Sequence, residues 1–304
     1  MKKNTKKTAV AEPLQGKTVA LTGSTGGIGN ALSRAIAEMG ASLILLDRNE
    51  EKAQAWAETL QREFPGCRIT RYTVDLSDID AVKTTAESLK ALPIDILIHN
   101  AGAYSIPRCT SNSGYDNVYT INFVSPYYMI REMLPVLEKK QGRVVVVGSI
   151  AHNYSKINES DIDFSEVKKA SKVYGNAKRF LMFSLYELFL NESKVSLSVT
   201  HPGITFTNIT AHYPKLIFAL IKHPMKVIFM SPEKAALSIV KGFFAPTEYH
   251  TWYGPRLFNV WGLPSKKKLT TCSESESKRI AEISETVYRD VKNKIASNKN
   301  EVKG

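Results

Sequence analysis

The 304-residue sequence predicts a single α/β domain built on a doubly wound parallel sheet with helices on both faces. Three observations carry that expectation. Short β-branched runs alternate with longer helical patterns from Lys17 onward, and several runs are apolar almost throughout, as strands covered on both faces must be. A glycine-rich turn stands between the first strand and the first helix. At 43% hydrophobic and 23% charged residues, the chain can supply a core of that size.

The strand runs are Thr18–Leu21, Ser42–Leu46, Arg68–Val74, Ile94–Ile98, Arg143–Val147 and Val195–Thr200. Between them Glu50–Glu63 and Asp78–Leu89 have clear helical periodicity. Residues 1–15 read as a basic tail, 16–265 as the domain, and 266–304 as a charged, helical extension that frays at its end. No stretch approaches the roughly 18 apolar residues of a membrane span. Nothing between Thr8 and Gly16 makes the basic N-terminus a secretory signal, so a cytoplasmic protein is expected. Cys67, Cys109 and Cys272 are odd in number and widely spaced, which argues against a disulfide framework or a metal site. The net charge of +12 raises the question of nucleic acid. Much of it, however, lies in terminal lysine runs such as Lys266–Lys268, read as solvated tails, and no nucleic-acid-binding pattern accompanies it.

In a doubly wound sheet ligands bind at the carboxyl ends of the strands. After the first strand comes Thr22-Gly23-Ser24-Thr25-Gly26-Gly27-Ile28-Gly29, whose glycines let backbone amides approach a pyrophosphate at a helix N-terminus. The spacing is not that of a Walker loop. The second strand ends at Asp47, a carboxylate able to accept from an adenosine ribose and to repel a 2′-phosphate, with Arg48 next to offset it. Asp47 points to NAD and Arg48 to NADP; together they lean towards NAD. Asp75, with Leu76 beside it, is placed to meet the adenine amino group or to cap the next helix.

The fourth strand ends in His99-Asn100-Ala101-Gly102 and the fifth in Gly148-Ser149. A later helix carries Tyr174-Gly-Asn-Ala-Lys178, and after the sixth strand comes His201-Pro202-Gly203-Ile204-Thr205-Phe206-Thr207. Together with the first turn, this set resembles the short-chain dehydrogenase/reductase family from about Gly16 to Tyr253, in its retinol-dehydrogenase-like branch. The resemblance implies a Rossmann-type fold, an NAD or NADP cofactor, and interconversion of an alcohol with a ketone or aldehyde. It implies catalysis by Asn122, Ser149, Tyr174 and Lys178, with Asn122 supporting a water-mediated proton relay to the lysine. Asn100, Ala101 and Gly102 would face the cofactor, as would Pro202, Gly203, Ile204 and Thr205. Dimers or tetramers through the tyrosine-bearing helix and its neighbour are also implied.

The residues agree with that chemistry. Tyrosine and lysine four apart share one helical face. An ammonium and a positively charged nicotinamide would together bring a phenol of pKa about 10 towards working pH. Three departures stand out: the twenty-five positions from Ser149 to Tyr174, His99 in place of a more usual asparagine, and Gly148 where serine is common. Residues 204–230 are rich in large apolar side chains, Phe206 and Tyr213 among them, and are expected to form a lid. With Tyr104, Ile106, Ile150 and His152 they would wall a pocket for a steroid- or retinoid-like substrate, and the lid could touch a membrane interface. A non-catalytic nucleotide sensor would be expected to lack the tyrosine or lysine. An epimerase or dehydratase of the extended branch would need a different glycine spacing and a longer substrate domain.

Overall fold

The computed structural model describes residues 14–190, 194–204 and 230–301. Its single sheet has eight strands in the order β3-β2-β1-β4-β5-β6-β7-β8. These are β1 Thr18–Thr22, β2 Ser42–Asp47, β3 Ile69–Thr73, β4 Ile96–His99, β5 Arg143–Val147, β6 Ser196–Thr200, β7 Thr251–Leu257 and β8 Trp261–Lys268. All neighbours pair parallel except β7 with β8. The doubly wound parallel sheet is therefore present, and an antiparallel hairpin extends it at one edge.

Side chains alternate across the sheet with the period of two that a strand imposes. Val19, Leu21, Leu43, Leu45, Ile96, Ile98, Val145 and Val147 point to one side. They pack there on α1 (Gly27–Glu38), α2 (Glu50–Glu63) and, through Ala236, Ile239 and Phe243, on the α7 region (Pro232–Gly242). Ala20, Ile44, Leu46, Leu97, Val144 and Val146 point to the other. That side is covered by α3 (Ile79–Leu89), α5 (Ser125–Lys139), α6 (Ala170–Leu188) and α8 (Glu274–Glu301). The short α4 (Asn117–Tyr119) runs through a π turn, Thr120–Val124, into α5. Strand order reverses between β1 and β4, so the ligand crevice lies above their carboxyl ends.

Two expectations at the C-terminal end are corrected. Lys266–Lys268 are not a tail but the last residues of β8, so the boundary drawn at 265 falls inside a strand. The following helix is also part of the domain. Ile280, Ile283, Val287, Val291 and Ile295 recur at helical spacing and are buried in the core shared with α5 and α6. Tyr288 donates to Glu132 at 2.6 Å, and Lys292 pairs with the same carboxylate at 3.2 Å. Sequence reading missed this face because charged residues separate each of its apolar positions.

The β7–β8 hairpin turns through Phe258 (φ 52°) and Asn259 (φ 59°), with Val260 N–H donating to the Leu257 carbonyl at 2.9 Å. Two consecutive left-handed residues match the right-handed strand twist, but glycine and asparagine usually supply them. A phenylalanine there is unusual.

Candidate active site

Ala101 packs against Gly23, which holds φ 72°, in a form that leaves almost no room for a side chain: a Cβ on Gly23 would lie 3.0 Å from Ala101 Cα. A Cβ on Gly29 would overlap the Gly23 carbonyl and stand 2.9 Å from Ser24 Cα. The first turn of α1 follows Gly26, whose position offers no side-chain cap, so its amides remain available to an anion. Replacing Gly29 with Ala is expected to push the loop out of this form. It should weaken dinucleotide binding by at least about tenfold, the cost of a modest backbone displacement, which fluorescence titration with reduced dinucleotide would measure. Unchanged affinity would remove the glycine cradle from the site.

Asp47 takes a different part from the one expected. It is 3% exposed, and its carboxylate accepts from Ser24 Oγ (2.5 Å), Thr25 N (3.0 Å) and Thr25 Oγ1 (3.1 Å). The carboxylate thus shapes the glycine loop from within, while Arg48 is exposed at the rim. Asp75 likewise holds its own turn, since Oδ1 accepts from Ser77 N (2.8 Å) and Ser77 Oγ (2.7 Å). Leu76 is buried, and its carbonyl accepts from Ser125 Oγ. Asn100 fastens the end of β4 to the end of β1: Nδ2 donates to the carbonyls of Thr22 (3.2 Å) and Gly23 (3.0 Å). Asn100 N and Ala101 N both donate to Thr22 Oγ1.

Beyond Gly102 stand Asn122 and Lys178, and the Tyr174 ring lies near Lys178. A Cβ on Gly102 would lie 2.7 Å from Asn122 Oδ1 and 3.6 Å from Lys178 Nζ, so only glycine leaves that space open. Asn122 sits in the π turn, which re-aims one residue out of helical register. Its Nδ2 donates to the carbonyls of Ala103 (2.7 Å) and Val118 (2.8 Å), whereas Oδ1 is buried without a partner. Lys178, 2% exposed, donates through Nζ to the Val147 carbonyl at 2.9 Å and lies 5.7 Å from the Tyr174 ring centroid. Burial brings its pKa down to about 8. Ser149 Oγ accepts from Ala151 N at 3.2 Å. Burial pushes the Tyr174 phenol up to about 12, the Ser149 hydroxyl opposing the shift and nearby Tyr104 adding to it. Tyr104 meets Tyr174 edge to face, 5.4 Å between ring centroids.

His152 does not wall a pocket. It is fully buried, its Nδ1 2.6 Å from the Ser149 carbonyl and its Nε2 2.9 Å from Thr271 Oγ1. It props the Ser149 turn against the residues leading into α8. Ile106 and Ile150 are partly buried against the core. Gly203 takes φ 83° after Pro202, and Ile204 accepts through its carbonyl from Met230 N at 3.0 Å. Thr205, Phe206, Tyr213 and the lid between Ile204 and Met230 lie outside the described residues.

Sequence reading overlooked Arg179, next to Lys178 on α6. It is almost fully buried and donates to Glu276 through Nε (2.9 Å) and NH2 (2.7 Å). It also donates to the carbonyls of Thr271 (2.7 Å) and His152 (3.2 Å). No spacing signal could have joined residues so far apart; only the burial of a charge demands a partner.

Three histidines around the site carry a prediction for stability. Burial brings His99 down to about 3, with the Lys178 charge adding to it, and brings His152 and His201 down to about 4. As pH falls below the ordinary value of 6.5, the unfolded chain takes up protons that the folded chain refuses. Stability is therefore present above that value and lost on the way down to about pH 4, by up to about 1.4 kcal/mol per histidine per pH unit. Urea midpoints at about pH 7 and about pH 5 should differ, and His99→Asn should narrow the difference. A flat profile would contradict the buried neutral rings.

Comparison with known proteins decides the family. The pattern described as short chain dehydrogenase matches residues 17–215, well over half of the chain. The chain belongs to the short chain dehydrogenase family. It is similar to polyprenol dehydrogenase of Mus musculus, 25% identical over 250 residues, covering 78% of this chain and 74% of that protein. To human retinol dehydrogenase 14 it is 28% identical over 243 residues, covering 73% and 72%. Among solved structures, an uncharacterised protein of Mycobacterium paratuberculosis superposes with TM-score 0.72 at 21% identity, covering 95% of this chain and 96% of that one. Pseudomonas aeruginosa RhlG with NADP gives 0.59 at 22% identity, covering 78% and 94%. These likenesses support the fold. This short chain dehydrogenase is an NAD(P)-dependent oxidoreductase of alcohol and carbonyl groups, and its cofactor is a nicotinamide dinucleotide. The glycine cradle and the orphan Asn122 Oδ1 beside Lys178 fit such a ligand and its waters.

Proposed function

We propose that the chain interconverts a lipophilic alcohol with its ketone or aldehyde, with Tyr174 as the general acid and base. The observation that carries this is that Lys178 Nζ lies 5.7 Å from the Tyr174 ring centroid, whose phenol feels the Ser149 hydroxyl, and borders with Asn122 Oδ1 the space left open by Gly102. The dinucleotide, when bound, supplies the two-electron donor or acceptor. Ser149 holds the substrate oxygen, and in the reductive direction the Tyr174 O–H delivers a proton to it. Lys178, charged at neutral pH, steadies the phenolate left behind, and a water on Asn122 Oδ1 returns the proton through the lysine. In the oxidative direction the same groups act in reverse. With its pKa at about 12 the phenol begins as a donor, so oxidation depends on the added positive charge of the oxidised cofactor.

A lipophilic substrate is supported by the apolar 204–230 segment, by Tyr104 over Tyr174, and by two relatives whose names specify polyprenol and retinol. NAD remains the favoured cofactor because the Asp47 charge stays at the end of β2, although exposed Arg48 leaves NADP open. We place the protein in a reducing compartment, the cytoplasm, since its three cysteines are unpaired. α8 packs with α5 and α6, the helices expected to build an oligomer, so a homo-oligomer would use other surfaces. The test is oxidation of NADH and NADPH with a carbonyl panel running from sugars to steroids and long-chain retinoid-like aldehydes. Turnover of the apolar compounds is expected; reaction of small polyols alone would overturn the substrate class.

A further inference from the structure

We propose that the β7–β8 hairpin is a docking element for the surface of an anionic lipid bilayer. Its tip exposes Phe258 (84%), Leu263 (74%) and Leu257 (55%), with Trp261 more than a third exposed beside them. Scattered apolar residues on a surface are ordinary; four within seven positions at one tip are not. Phe258 also occupies a left-handed turn position that asparagine or glycine would hold without strain. A bulky ring kept there, and turned to solvent, contributes nothing to the fold that a smaller residue would not do better.

Charge selects the occupant. From Thr251 to Lys268 the hairpin contains Arg256 and Lys266–Lys268 and no acidic residue. Lys266 pairs with Glu248 and Lys267 donates to the Pro255 carbonyl, while Arg256 and Lys268 are exposed. Aromatic and aliphatic tips above a basic stem are the arrangement by which a protein rests in the headgroup layer of an anionic membrane. A second copy of the chain fits less well. Pro264, in the middle of β8, lacks the N–H that an edge-to-edge ladder between two copies needs.

The hairpin also lies beside the site. Asn259 O is 3.0 Å from His201 Nε2, and a Cβ on Gly203 would lie 2.8 Å from Val260 O. Docking would therefore bring the Pro202-Gly203 rim of the crevice to the lipid surface. The inference does not depend on the chemistry proposed for Tyr174 and is tested without turnover.

The full chain is mixed with vesicles of phosphatidylcholine, with or without phosphatidylserine, and sedimented at low and high salt. Binding to the phosphatidylserine vesicles, weakened by salt, is expected. Phe258→Asn with Leu263→Ser should lower the partition constant about tenfold or more. Arg256→Ser with Lys268→Ser should remove the preference for phosphatidylserine. Asparagine accepts the left-handed turn, so Phe258→Asn alone should keep or raise the urea midpoint, separating loss of docking from loss of fold. No vesicle binding by the natural chain, or equal binding by the apolar variant, would overturn the proposal. So would a dimer that Phe258→Asn dissolves in the absence of vesicle binding, which would assign the tip to a second copy.

Discussion

Tyr174→Phe is expected to lower kcat by about a thousandfold or more while dinucleotide affinity stays within a factor of about three. The substitution deletes one oxygen and leaves the ring, so the contact with Tyr104 and the position of α6 are kept. What disappears is the phenolic proton beside Lys178. Each pH unit between the phenol's pKa and working pH corresponds to about 1.4 kcal/mol, and the natural residue near 12 therefore depends on charge brought into the site. The rate of alcohol oxidation should rise with pH through an ionisation well below 12 when the oxidised cofactor is bound, and fall away on its acidic side. Single-turnover rates and cofactor titration of the variant separate chemistry from binding. Turnover near the natural rate would remove Tyr174 from the reaction.

The second large effect falls on stability. Glu276→Ala should cost about 3–5 kcal/mol, because it strands the nearly fully buried Arg179 guanidinium without its counter-ion. Glu276 keeps some contact with solvent, which places the expectation at the lower end of that span. Pairing Arg179→Met with Glu276→Leu should restore much of the loss, since an apolar pair leaves no charge to desolvate. Urea denaturation of the natural chain, the single variant and the double variant checks both statements. A loss below about 1 kcal/mol would mean that solvent reaches the guanidinium. The double variant should still turn over more slowly than the natural chain, because the bond from Arg179 to the His152 carbonyl, and hence the Ser149 turn, is gone.

Much of the fold was legible because its physics is local. Runs such as Leu43–Leu46 and Val144–Val147 are apolar on both faces, and only a covered parallel strand accommodates that. The glycines at 23 and 29 and the Tyr174–Lys178 spacing were equally readable, since each answers a short-range steric or helical requirement. The hairpin escaped because Gly254, Pro255, Gly262 and Pro264 interrupt any strand pattern, and its basic stem has the composition of a tail. Side-chain direction escaped as well. Asp47 stands at the expected place yet turns towards Ser24 and Thr25, and His152 turns away from the crevice towards Thr271. Such choices depend on partners remote in sequence.

Synthesis order gives α8 a last consequence. It leaves the ribosome after every strand of the sheet, and until then the nascent chain carries a bare apolar flank and a guanidinium with no counter-ion on α6. Completion of the catalytic half must therefore wait until α8 has emerged. A chain halted before residue 274 would present to chaperones and proteases the very surface that the finished enzyme hides.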